Sequence, residues 1–90
     1  MRPKTRVVNR HTETYDVYIG RGTPFGNPFK IWIDGNRKEV IEMFSVYFHR
    51  RIQEDPEFRG LVEGLRGKVI ACSCKPNACH GDVIAKWLDE

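Results

Sequence analysis

Residues 68–73, KVIACS, contain no polar position between Val69 and Cys72 and lie between Gly67 and Pro76. A strand without polar alternation is covered on both faces, as the central strand of an α/β sheet is. This run selects the fold class, because something must pack above and below it. Strand side chains alternate, so Ile70, Cys72 and Cys74 share one face while Val69, Ala71 and Ser73 share the other. Pro76 breaks the strand, and Asn77 suits the N-cap of a final helix running to Leu88. On that helix Cys79, Val83 and Trp87 form one row and His80, Ile84 and Leu88 the next. The stretch CSCKPNACHGD (72–82) therefore reads as a β-turn-α unit. Two thiols stand at the carboxyl end of a strand, and a thiol and an imidazole stand in the first turn of the following helix. Gly81 removes a side chain where helix and strand backbones approach, and Asp82 and Lys86 form an outward i,i+4 pair.

The rest of the chain fits the same class. TRVVN (5–9) and YDVYIG (15–20) are rich in β-branched and aromatic residues and read as strands. Glycines and prolines in 21–29 exclude regular structure. KIWI (30–33) reads as a short strand closed by the turn at Asp34-Gly35. Asn36 caps a helix over 37–53, with Glu39 as its capping-box partner and Val40, Ile41, Phe44, Tyr47, Phe48, Arg51 and Ile52 as its inner face. Asp55-Pro56 starts a second helix with Phe58, Leu61, Val62 and Leu65 inward, ended by Gly67. The expected order is β-β-(β)-α-α-β-α: a small single-layer sheet of three to four strands with helices packed on it. Ninety residues suit one domain over 1–90, with a basic tail at about residues 1–4. At 40% hydrophobic and 30% charged, wholesale disorder is excluded. No apolar run approaches the ~20 residues that span a bilayer, and no apolar stretch follows the basic start, so neither a membrane span nor a secretory signal is expected. Three cysteines, all within 72–79, cannot staple a secreted fold, which points to a reducing, cytoplasmic setting.

Three chemistries suit the cysteine segment. Cys72, Cys74, Cys79 and His80 make a Cys3His donor set of the kind that holds structural zinc, although C-x-C-x4-C-H is not a common zinc spacing. Alternatively, Cys79 at a helix N-terminus has a stabilised thiolate and acts as a catalytic nucleophile, with His80 as base or orienter. The third reading is packing, with small buried thiols and His80 hydrogen-bonded to a loop carbonyl.

A second candidate element is IGRGTPFGNPF (19–29). Gly20, Gly22 and Gly26 let the backbone approach a ligand and turn N–H groups toward an anion, while Pro24 and Pro28 fix the loop in advance. Arg21 suits a phosphate or carboxylate, and Asn27 offers a donor and an acceptor to a base edge. Phe25 and Phe29 either stack on a base or anchor the loop to the core. If strands 15–20 and 68–73 run parallel, their carboxyl ends share one edge, where ligands bind in open α/β sheets. Gly20, Arg21, Gly22 and Asn27 would then face Cys79, His80, Gly81 and Asp82 across one cleft.

YIGRGTPFGNPF, DPEFRGLVEGLRGKVIACSCKP and CHGDVIAKWL resemble a small uncharacterised domain of bacteriophages and bacteria, a family of unknown function. The resemblance covers about residues 5–89. It implies that Arg21, Gly22, Asn27, Pro28, Cys72, Cys74, Pro76, Cys79, His80, Gly81 and Asp82 occupy the family's hallmark positions. The C-x-C-x-P-x-x-C-H ending is also similar to that of a second uncharacterised bacterial family, whose cysteine-histidine pair opens the last helix of an α/β fold. Neither resemblance supplies an activity. The expectation is a domain that binds a nucleotide or nucleic-acid component in this cleft. The alternative is a zinc-stapled module without catalysis that docks on nucleic acid or a host protein.

Overall fold

The computed structural model describes residues 4–75 and 77–90, so the tail expected at the N-terminus lies almost wholly outside it, as does the strand-breaking role of Pro76. Its elements are β1 (Arg6–Asn9), β2 (Val17–Tyr18), α1 (Arg37–Glu54), α2 (Pro56–Glu63), β3 (Val69–Cys72) and α3 (His80–Asp89). The fold is α/β. The three strands form one sheet in the order β1-β3-β2, and both pairings are parallel. The apolar run is thus the central strand. Ile70, Ala71 and Cys72 are all buried, as a strand covered on both faces must be. Parallel pairing also brings Asn9, Tyr18 and Cys72 to the same edge of the sheet.

Register sorts the side chains. Val7 and Val17 both pair with Ile70, so with Ile19 and Cys72 they stand on one face. There the first turn of α3 lies so close that a β-carbon at Gly81 would stand 2.8 Å from Ile19 Cδ1 and 3.0 Å from Val7 Cγ1. On the opposite face the Arg10 guanidinium covers the Tyr18 ring, 4.8 Å from its centroid.

Helix α1 begins where the sequence places it. Asn36 Oδ1 accepts the Glu39 N–H at 2.9 Å, and Glu39 Oε1 accepts the Asn36 N–H at 3.0 Å. Its buried stripe is Val40, Phe44, Phe48 and Ile52, one residue per turn. The rings of this stripe meet both other helices. Phe48 packs edge-on against Phe58 of α2 and Trp87 of α3, and Phe44 packs edge-on against His80.

Three local expectations are corrected. The segment 30–33 is a turn and not a strand. Lys30 N–H donates to the Asp34 carboxylate, Asp34 N–H donates back to the Lys30 carbonyl, and Trp32 has φ 69°. Trp32 is 84% exposed, so the apolar run has no sheet to join. Leu61 is 47% exposed: the inner face of α2 narrows to Phe58 and Val62, and Leu61 stands ~100° from Val62 around the helix axis. The third correction concerns the start of α3. It begins at His80 with Cys79 as its N-cap, two residues later than an Asn77 cap would have it. Asn77 instead closes a turn, its N–H bonded to the Cys74 carbonyl at 2.9 Å.

Candidate functional site

The late start of α3 decides where the sulfurs go. Cys79 is extended, at φ −144° and ψ 168°, and its N–H donates to Asp82 Oδ2 at 3.1 Å. Asp82 therefore serves the helix start from inside and also pairs with Lys75, while the expected partner Lys86 is not bonded to it. The extended backbone directs the Cys79 side chain back to the end of β3. Its sulfur lies 2.9 Å from that of Cys72, and both residues are buried, at 2% and 1% exposure. Asn9 Nδ2 donates to the Lys75 carbonyl at 2.6 Å, which ties the turn after β3 to the neighbouring strand.

Either thiol can donate to the other, and backbone N–H groups face both sulfurs, that of Gly81 at Cys79 and those of Cys74 and Lys75 at Cys72. The N–H groups of Cys74 and Lys75 aim at the Cys72 sulfur. The Cys79 hydrogen bond, then those two N–H groups and the nearby His80, pull Cys72 from the ordinary 9.0 down to about 5, against the opposing effect of burial. Cys79 is pushed the other way, first by the Cys72 sulfur beside it and then by burial. Cys72 is the thiolate of the pair and Cys79 its proton-bearing donor.

This has a measurable consequence. Ultraviolet thiolate absorbance should appear with a midpoint near pH 5 and move toward 9.0 when Cys79 is replaced by alanine. A folded-state value below the unfolded one gives stability that is present above about pH 9 and lost as the pH falls through about 5. Thiolate absorbance that rises only near pH 9 in the wild type would contradict the assignment.

His80 Nε2–H donates to the Ile19 carbonyl at 2.8 Å, the loop-carbonyl bond of the packing reading. This bond joins the start of α3 to the exit of β2, so the glycine-proline loop and the cysteine turn meet. Between them lies a cleft of about 370 Å³. Gly20, Arg21, Asn27, Cys72, Cys74, Cys79 and His80 line it, whereas Gly22, Gly81 and Asp82 do not. Asn27 is already engaged: Nδ2 donates to the Val40 carbonyl at 3.2 Å and Oδ1 accepts the Phe29 N–H at 2.9 Å. It pins the loop to α1, and Phe25 is buried in the core beneath.

Sequence reasoning passed over two lining residues, Lys30 and Arg37. Arg37 had a signal. It is the first residue of α1, where a cation opposes the helix dipole and so requires another reason to be present. Its guanidinium reaches across to the Ala78 carbonyl at 3.3 Å. Lys30, inside an irregular loop, carries no comparable pattern.

Among the described residues no group of three or more His, Cys, Asp or Glu side chains is placed to hold a metal ion. Two thiolates on one tetrahedral zinc sit about 3.8 Å apart, given Zn–S bonds of about 2.3 Å. Cys72 and Cys79 are closer than that, and His80 Nε2 is bonded elsewhere. Among the described residues no helix is long and apolar enough to cross a membrane.

No solved structure matches the chain. It is 44% identical over 81 residues to an uncharacterised 12.4 kDa protein encoded in the nrdA-td intergenic region of Enterobacteria phage T4, a match covering 89% of this chain and 73% of the phage protein. A family model described as a domain of unknown function, DUF4326, matches residues 4–90, and the chain belongs to that phage-associated family.

Proposed function

We propose that the cleft binds a nucleotide or a nucleic-acid component through its phosphates. The observation that carries this reading is charge. Arg21, Lys30 and Arg37 line the cleft, and no described lining residue is a carboxylate. Three cations around one concavity repel one another unless an anion joins them. A phosphate accepts from guanidinium groups in two-pronged fashion, which favours arginine at two of the three positions. Tyr18 and Phe29 supply aromatic walls for a base. A volume of about 370 Å³ suits a small molecule of nucleotide size. The role first considered for Asn27, reading a base edge, passes to the exposed backbone groups of the loop, since its own side chain holds that loop in shape.

Titration calorimetry with nucleosides and their mono-, di- and triphosphates tests the proposal. Affinity should rise with each phosphate and fall with added salt. A charge-assisted hydrogen bond contributes about 1.5–3 kcal/mol, so Arg21→Ala and Arg37→Ala should each weaken binding by roughly tenfold or more. Absence of heat with every nucleotide, or unchanged affinity in both variants, would overturn the reading.

A further inference from the structure

We infer that Cys72 and Cys79 form a reversible dithiol–disulfide couple at the floor of the cleft, with Cys72 attacking and Cys79 resolving. This inference does not rest on nucleotide binding. It rests on the two sulfurs, 2.9 Å apart, joined from the last residue of β3 to the N-cap of α3. A disulfide bond is about 2.05 Å long, so closure requires the sulfurs to approach by about 0.9 Å, within reach of small side-chain rotations. Both cysteines line the cleft, which provides access for a small reactant to otherwise buried thiols. Cys74 also lines the cleft but is not part of the pair.

The asymmetry of the pair sets the order of events. The Cys72 sulfur faces the Cys79 thiol and the N–H groups of Cys74 and Lys75, whereas the Cys79 sulfur faces the Gly81 N–H, and Cys72 is the attacking thiolate. It attacks one sulfur of a low-molecular-weight disulfide such as oxidised glutathione. That S–S bond breaks, a mixed disulfide forms on Cys72, and one glutathione thiolate leaves and takes a proton from water. Relieved of the Cys72 negative charge, Cys79 releases its proton to water and attacks the Cys72 sulfur. The bond from Cys72 to glutathione breaks, and the second glutathione leaves as thiolate and is protonated. In total the protein loses two electrons and the one proton of Cys79, the solvent supplies the second proton, and one oxidised glutathione becomes two reduced ones.

The test uses the full chain, equilibrated in glutathione buffers of graded redox ratio. Samples are quenched in acid, unfolded, alkylated and weighed by intact mass spectrometry. The wild type should pass from three alkylatable thiols to one, as a monomer without bound glutathione. Cys74→Ser, which leaves the buried pair untouched, should pass from two to none. Cys79→Ser should instead accumulate a glutathione adduct on Cys72. Retention of all three thiols in the wild type across the series would overturn the inference. Retention of two in Cys74→Ser, or oxidation only between chains, would overturn it equally. These readouts contain no nucleotide, so their failure is separate from failure of the binding proposal.

Discussion

Replacing Phe48 with alanine is expected to remove about 3–5 kcal/mol of stability, the usual range for truncating a buried phenylalanine. Phe48 is 0% exposed and stands where the three helices meet. Its ring centroid lies 5.6 Å from Phe44 on its own helix, 6.0 Å from Phe58 on α2 and 6.0 Å from Trp87 on α3. Truncation leaves a void bounded by three elements, and no single neighbour can relax into it. Domains of this size carry a total of about 5–15 kcal/mol, so much of the population would unfold. Urea denaturation followed by circular dichroism measures the effect, and Phe48→Leu should lose considerably less. A loss under about 1 kcal/mol for the alanine variant would mean that the aromatic junction is not closely packed.

The second large effect is expected at Gly81. A β-carbon there meets Ile19 Cδ1 at 2.8 Å, Val7 Cγ1 at 3.0 Å and Cys79 Sγ at 3.3 Å. Those atoms belong to three separate segments, so relief in one direction tightens another. Gly81→Val adds two further methyl groups and should destabilise by about 3 kcal/mol, the upper end of the overpacking range. In Gly81→Ala, a helix-propensity gain below ~1 kcal/mol opposes an overpacking loss of about 1–3 kcal/mol. The loss should win. Gly60 supplies the contrast, because a β-carbon there meets nothing within 4 Å. Gly60→Ala in α2 should stabilise by about 0.5–1 kcal/mol through propensity alone. Equal effects at the two glycines would show that α3 does not lie as close to the sheet as described. The same Gly81 variants should also raise the midpoint of the Cys72 thiolate, because a displaced helix carries the Cys79 donor away.

The difference between these two glycines marks where sequence reasoning stops. The sequence places Gly81 where helix and strand approach and Gly60 mid-helix, but it does not say which atoms stand against either. Only the arrival of Val7 and Ile19 from distant strands makes one indispensable. The cysteine turn shows the same limit. Asn77 has the side chain of a good N-cap, yet the cap is Cys79 because the Asp82 carboxylate holds its N–H and its sulfur meets Cys72 across the turn. That shift of two residues brings the sulfur of the helix cysteine against that of the strand cysteine. The donor types that suit zinc are local, whereas the sulfur separation and the His80 bond are set only by the fold.

What the sequence by itself determined is the set of elements and the class they belong to. The unbroken apolar run of 69–72, the Asn36–Glu39 capping box and the four-residue stripe of α1 are local patterns, readable because near neighbours in the chain create them. Tertiary structure alone decided the parallel order β1-β3-β2, the meeting of Cys72 with Cys79, and the gathering of Arg21, Lys30 and Arg37 around one cleft. These depend on register and on contacts between residues far apart in the chain, and such distances are set only when the sheet closes and the helices pack upon it.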